Sequence, residues 1–420
     1  MIRPVTEEAA RAAMPSTDRS SSTASAGAGG SSTLLVAGVM LVAASMRPLA
    51  TSVGPVLHQI SAGEHLSGAL AGLLSTIPVL CFGAIAPLAG LLSGRLGIAR
   101  TIALILCAII AGLTLRVSGG AFLLFAGTLL AAAGASCGNV LLPVLVRRSF
   151  ADRVGRISTL YTTALIGAAA LAAGATVPLV HLLGDGWRGG LLIWAAPALI
   201  ALVVWLPQLA RESAHAPTAA RPARMRELTR EPLTWQLTVF FAMQAWGFYA
   251  TLAWLPSILQ SHGLSSTYAG LLLGVSGVMG VPAALVVPSL AVRLRHQGAL
   301  AAVLAAVTAV GYCGLLLAPA GAPLAWAIVI GLGQGASFPL ALTLIVLRSG
   351  SAGLTSGLST HVQGGGYLLA AAGPLLVGAL HQLTGSWSAS LVVLIAVLVP
   401  QALSGIGAGR ERTLAAILAG

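Results

Sequence analysis

The chain has 420 residues, 57% of them hydrophobic and only 8% charged, with a mean hydropathy of +0.94 and a formal net charge of +12. A soluble chain of this length cannot hide that much apolar surface, so the composition excludes a soluble globular protein and implies a polytopic membrane protein. The positive charge is no sign of nucleic acid: it rests entirely on arginine, in short clusters between apolar runs, and the chain contains no lysine.

In chain order, residues 1–32 are rich in Ser, Ala, Thr and Gly and read as a disordered tail. With no apolar stretch before Leu34, no cleavable signal peptide is expected. Twelve apolar runs follow, near 34–57, 67–92, 99–117, 120–146, 154–182, 189–209, 233–260, 266–291, 297–318, 322–347, 354–381 and 387–407. The first is 24 residues long, enough to cross a hydrocarbon core of about 30 Å, and Arg47 is its fourteenth residue. An arginine at that depth costs roughly 2.5–3.5 kcal/mol on insertion scales. A chain retains it where it faces a wet cavity or a polar partner. The four cysteines (Cys81, Cys107, Cys137, Cys313) lie within the runs at no metal-site spacing and read as small packing residues.

Nineteen of the 22 arginines fall on one side of the runs, Arg116 and Arg188 on the other, and Arg47 within the first run. The positive-inside rule then places both termini and the 210–232 loop in the cytoplasm of a bacterial inner-membrane protein. The two halves also repeat each other. Ala-Gly-Leu-Leu at 71–74 recurs at 269–272, Gly-Ala-Ser at 134–136 recurs at 335–337, and Pro55 matches Pro256. His181 and Trp187 recur as His381 and Trp387. The predicted organisation is a cytoplasmic tail (1–32), a six-helix half (33–209), a cytoplasmic linker (210–232), a second half (233–407) and a tail (408–420). The fold class is an all-α integral membrane protein with twelve transmembrane helices in two parallel six-helix repeats, one pattern of secondary transporters.

On these residues the chain resembles the major facilitator superfamily over nearly all of 33–407. The segment from Gly90 to Arg100 is similar to that superfamily's loop between spans two and three, except that Gly94 stands where its acidic residue is usual. The resemblance implies gating roles for Arg95, Arg100 and Arg293, with Asp152 as a substitute acid. Two segments further resemble the cyanate and 2-nitroimidazole transporter family: Met46 to Pro55, and the seventh run with Gln244, Phe248, Tyr249 and Trp254 to Leu259. The superfamily's cavity-lining spans nominate Asn139, Gln244, Tyr249 and Gln334 as substrate-binding residues beside Arg47, then Tyr161, His361 and Gln363. Each amide has an equal alternative as a bond between helices.

All ten acidic residues lie in tails, loops or span edges, so no embedded carboxylate neutralises Arg47 or carries a proton. An unpaired guanidinium suits an anion through paired, charge-assisted hydrogen bonds. The competing account has Arg47 bracing carbonyls freed by Pro48 or Pro55. His361, with a titration range suited to proton coupling, precedes the flexible Gly364-Gly365-Gly366; a packed neutral ring is its alternative. Trp246, Trp254 and Phe338 read as packing or interface residues. No phosphate-binding Lys-Ser/Thr loop is possible without lysine, so an ATP-driven pump and an enzyme are both excluded. The expectation is a monomeric alternating-access carrier of a small anion or polar solute, cyanate-like first, or else a nitroimidazole-type drug efflux carrier. Its partners are a small-molecule solute, the lipid bilayer and, for coupling, protons; no nucleic acid, metal or other cofactor is expected.

Overall fold

The computed structural model describes residues 24–184, 186–210 and 225–419, and every regular element among them is helical. The first half comprises α1 (Ala24–Met46), α2 (Pro48–Thr51), α3 (Val53–Gly63), α4 (Gly68–Ala84), α5 (Ala86–Leu96), α6 (Ile98–Leu115), α7 (Ala121–Ser149), α8 (Val154–Leu183), α9 (Gly186–Leu192) and α10 (Ala195–Leu209). The second half, after the short α11 (Met225–Leu228), comprises α12 (Pro232–Ser261), α13 (Ser266–Arg293), α14 (Gly298–Leu317), α15 (Pro323–Ser349), α16 (Ala352–Ala370), α17 (Ala372–Thr384) and α18 (Trp387–Ala408), with α19 (Leu414–Ala419) at the end. Helix α1 takes in the last nine residues of the expected tail; residues 1–23 and 211–224 lie outside the described residues.

Ten helical runs are long and apolar enough to cross a membrane, or eleven if α4 and α5, bent by 61°, form one span. The apolar pattern predicts twelve. The remaining run is α12, whose 30 residues reach about 45 Å at 1.5 Å per residue but which is not among the ten. That helix carries Gln236, Gln244, Tyr249 and Gln260, polar groups that lower its hydropathy.

Several expected single runs are interrupted. The first breaks at Arg47 and again at Ser52, the sixth between α9 and α10, and the eleventh at Ala371. Proline follows each break: Pro48 and Pro55, Pro197, and Pro374. Its ring removes a donor and clashes with the carbonyl four residues back, which is how these sequences open a helix locally. One buried cluster, including Met46, Ile102, Leu106 and Trp205, fills the first half. A second joins Val56, Ile60 and Phe82 of the first half to Phe241, Tyr249, Tyr312 and Val377 of the second.

The helix ends bearing Arg95, Arg100, Arg147 and Arg293 define an arginine-rich face. Away from it the halves meet backbone to backbone. A Cβ at Gly54 would stand 2.4 Å from the Leu252 carbonyl oxygen, at Gly72 2.7 Å from that of Pro374, and at Gly270 3.0 Å from that of Ala173. Hydrogen bonds from Thr76 Oγ1 to the Ala371 carbonyl (3.0 Å) and from the Ala69 amide to Gln382 Oε1 (3.2 Å) add to this seal. Toward the arginine-rich face, α5 packs on α6 and α7 of its own half, and a Cβ at Gly90 or Gly94 meets nothing within 4 Å.

Candidate functional site

Arg47 occupies the joint between α1 and α2, and its backbone (φ −97°, ψ −34°) begins the short α2. Half-buried, its guanidinium crosses to the other half of the molecule: Nη1 donates to the Tyr249 hydroxyl at 3.2 Å. The offset of 201 between Pro55 and Pro256 pairs Pro48 with Tyr249, so this bond links equivalent stretches of the two repeats. The guanidinium carbon lies 5.4 Å from the Phe82 ring centroid, a cation–π distance. Its buried Nε has no hydrogen-bond partner among the described residues. A buried donor left unmet costs free energy comparable to a lost hydrogen bond, and the Nε of Arg116 is buried without a partner among the described residues in the same way.

Aromatic rings from both halves surround this cation. Phe82 and Tyr367 are 5.5 Å apart between centroids, Tyr249 and Tyr367 6.3 Å, Phe241 and Tyr367 5.0 Å, and Phe248 and Tyr249 5.2 Å. Gly366 makes the closest of these approaches possible, since a Cβ there would meet Phe241 Cδ1 at 2.5 Å. Gly366 thus serves close packing of α16 on α12, and Gly364 of the same triplet faces Gly83 on α4. A cavity of about 10 Å³, room for about one water, lies beside Tyr249 and is lined by Leu49, Ser75, Pro78 and Leu252. The Ser75 hydroxyl is buried there without a partner among the described residues.

A second arginine adds to the sequence reading. Arg116, at the edge of the third apolar run and counted on the far side from the arginine-rich one, is 0% exposed. Its Nη1 donates to the Leu49 carbonyl at 2.8 Å, and Nη2 to the Leu191 carbonyl at 3.3 Å and to Ser52 Oγ at 3.5 Å. Leu49 lies in the interrupted first run and Leu191 just before the break in the sixth, so one guanidinium supplies donors where helices stop supplying them. The run's edge concealed this; the signal was in Gly112 and Gly127, whose missing side chains let α6 and α7 close to backbone contact around it.

The other nominated residues disperse. Gln334 donates to Thr251 Oγ1 (3.1 Å) and Tyr312 Oη (2.5 Å), a buried network tying α12, α14 and α15. Gln363 donates to Ser359 on its own helix at 2.6 Å. His361 meets Trp235 edge-on at 5.5 Å, six residues or about 9 Å along α16 from Tyr367. Gln244 is buried on α12; Asn139 and Tyr161 are half-buried on α7 and α8. Among the gating candidates Arg95, Arg100, Asp152 and Arg293 are exposed near helix ends. An ion pair does form between Glu64 and Arg188, on the opposite face, with Arg188 also 4.5 Å over Trp187.

A family model described as Major Facilitator Superfamily matches residues 31–371. The chain belongs to that superfamily. It is 41% identical to an uncharacterized transporter (YycB) of Bacillus subtilis strain 168 over 90% of this chain and 94% of that one. It is 38% identical to a 2-nitroimidazole transporter of Escherichia coli K12 (91% and 96% covered) and 32% identical to the cyanate transport protein CynX of the same organism (83% and 90% covered). In fold it is similar to a bacterial homologue of the lysosomal transporter Spinster in an inward-facing, unoccupied conformation, with a TM-score of 0.73, 15% identity, and 90% and 97% of the chains covered. This superfamily member is a multi-pass membrane transporter and not an enzyme.

Proposed function

We propose that the protein is a secondary carrier of a small anion or small polar organic solute, cyanate-like in the first instance, working by alternating access of two six-helix halves (33–209 and 233–407) about Arg47. The observation that carries this reading is the Arg47 guanidinium itself: it stands between the halves and faces rings and a phenol in place of a carboxylate. An anion satisfies such a donor with a charge-assisted bond, and a neutral bracing residue would have served at lower insertion cost. Tyr249 holds the guanidinium when the site is empty. Asn139 and Gln244 supply further polar contact in this scheme, with Gln363 and His361 nearer the arginine-rich face. Gln334, whose amide is committed to Thr251 and Tyr312, shapes the wall.

The arginine distribution supports cytoplasmic termini in a bacterial inner membrane. The backbone seal on the other face then corresponds to an inward-facing state, with Arg95, Arg100, Arg293 and Asp152 approaching one another when the halves rock the other way. Proton coupling through His361 is tested by whether flux acidifies the vesicle lumen. The principal test is uptake of labelled cyanate and related anions by proteoliposomes: saturable uptake should collapse in Arg47→Gln, and uptake that persists unchanged removes the role given to Arg47. A second reading, efflux of nitroimidazole-like drugs, is favoured by the relative of that name and by the rings at the site. Overproduction should then raise drug tolerance, whereas an uptake carrier should lower it.

A further inference from the structure

Two helices from opposite halves lose a backbone bond at one place. Pro78 lies inside α4 and Pro256 inside α12. A proline has no amide hydrogen to give, so the carbonyls four residues back, those of Leu74 and Leu252, lose their helical donors. Leu74 and Leu252 both line the cavity of about 10 Å³ beside Tyr249, which has room for about one water. The Leu252 oxygen is turned toward the first half, since a Cβ at Gly54 would stand 2.4 Å from it. Each half thus brings one under-bonded acceptor to the same small space.

The third polar group there is a donor. Helix hydroxyls commonly return to a carbonyl of the preceding turn, as Thr128 does to Leu124 at 2.7 Å. Ser75 does not: its Oγ is buried beside the cavity with no partner among the described residues. Buried polar groups are met in nearly every case, and where no protein atom serves, an ordered water does. A water has two hydrogens to give and lone pairs to receive with, which matches two acceptors and one donor. Three oxygens are too few for a hard metal ion.

We propose that this cavity binds one water molecule, which donates to the Leu74 and Leu252 carbonyls, accepts from the Ser75 hydroxyl, and so bridges the two halves. The bridge belongs to the seal that also holds the Thr76–Ala371 and Ala69–Gln382 bonds, and parting the halves there breaks it. It depends neither on Arg47 nor on which solute is carried.

The test is a structure of the full chain with this seal closed, as wild type and as Ser75→Val, at about 2 Å, where buried waters are resolved. Ordered waters elsewhere in each map serve as the control. Wild type should show a peak within hydrogen-bond reach of Ser75 Oγ and of both carbonyls. Ser75→Val should lose it, since the added methyl group takes its place. An empty cavity in wild type, a peak unmoved in Ser75→Val, or one reaching a single half overturns the proposal. Hydrogen exchange at the Ala69 amide reads the bridge in solution, because that amide bonds across the halves to Gln382. Exchange there should quicken about fivefold in Ser75→Val and less in Ser75→Ala, where the water keeps both carbonyls. Exchange unchanged in both variants overturns the bridging role.

Discussion

Two arginines of the first half, Arg47 and Arg116, have buried guanidinium atoms, and neither meets a carboxylate among the described residues. Arg116 is fully enclosed and meets three oxygens, two of them carbonyls at interrupted helices, although its Nε, like that of Arg47, has no partner among the described residues. Arg47 begins two residues before one of those carbonyls, yet it turns to a phenol and a ring face of the opposite half. The guanidinium bonded to backbone carbonyls is that of Arg116, and the guanidinium of Arg47 meets a side-chain hydroxyl. A buried cation without an acid is thus not in itself a sign of a solute site; what its donors meet decides. Backbone oxygens cannot leave, so Arg116 is fixed. A phenol can give way, as the role proposed for Arg47 requires.

The sharpest way to break this contrast is at Arg116. Arg116→Leu should destabilise the fold by about 3–5 kcal/mol, since it strands buried carbonyls, and Arg116→Lys should recover only part of that. Thermal unfolding of the purified protein measures both; a Leu variant as stable as wild type would show that the carbonyls find other partners. Next in size, Arg47→Gln should lower transport at least a hundredfold, about 2.7 kcal/mol, with the unfolding midpoint unchanged or raised. A matching loss of stability would make the two arginines alike. Tyr249→Phe removes the placeholder: apparent KM should fall roughly fivefold, about 1 kcal/mol, while the maximal rate also falls as release slows. A raised KM would place the phenol on the solute instead. Smallest of all, Gln363→Leu should change transport and stability by within about 0.5 kcal/mol, because its hydrogen bond to Ser359 is internal to one helix turn.

Much of the architecture was legible because bilayer physics writes it in long apolar runs and arginine placement. Arg47 stood out by being a charge in the middle of such a run. Arg116 did not, since an arginine at a run's edge looks the same whether it points to water or folds inward. Gln334 looked like a binding residue because sequence shows a donor but not its partners, and Thr251 and Tyr312 lie 83 and 22 positions away. Phe82 and Tyr367 were invisible for the opposite reason: a ring in an apolar run resembles any lipid-facing residue until a cation is seen beside it. The interruptions at Ser52, Ala371 and between α9 and α10 were hinted at by proline, whose effect depends on which neighbour takes up the freed carbonyl.

The contact at Gly54 has its own consequence. With 2.4 Å between a would-be Cβ and the Leu252 carbonyl, the tolerance of the seal is less than one methyl group. A larger residue at position 54 is a wedge, acting on neither Arg47 nor its rings, and it withholds one of the two shapes that the proposed cycle requires. Whether solute can still enter from the far face of such a protein is then a question about geometry alone, with the chemistry of the site held constant.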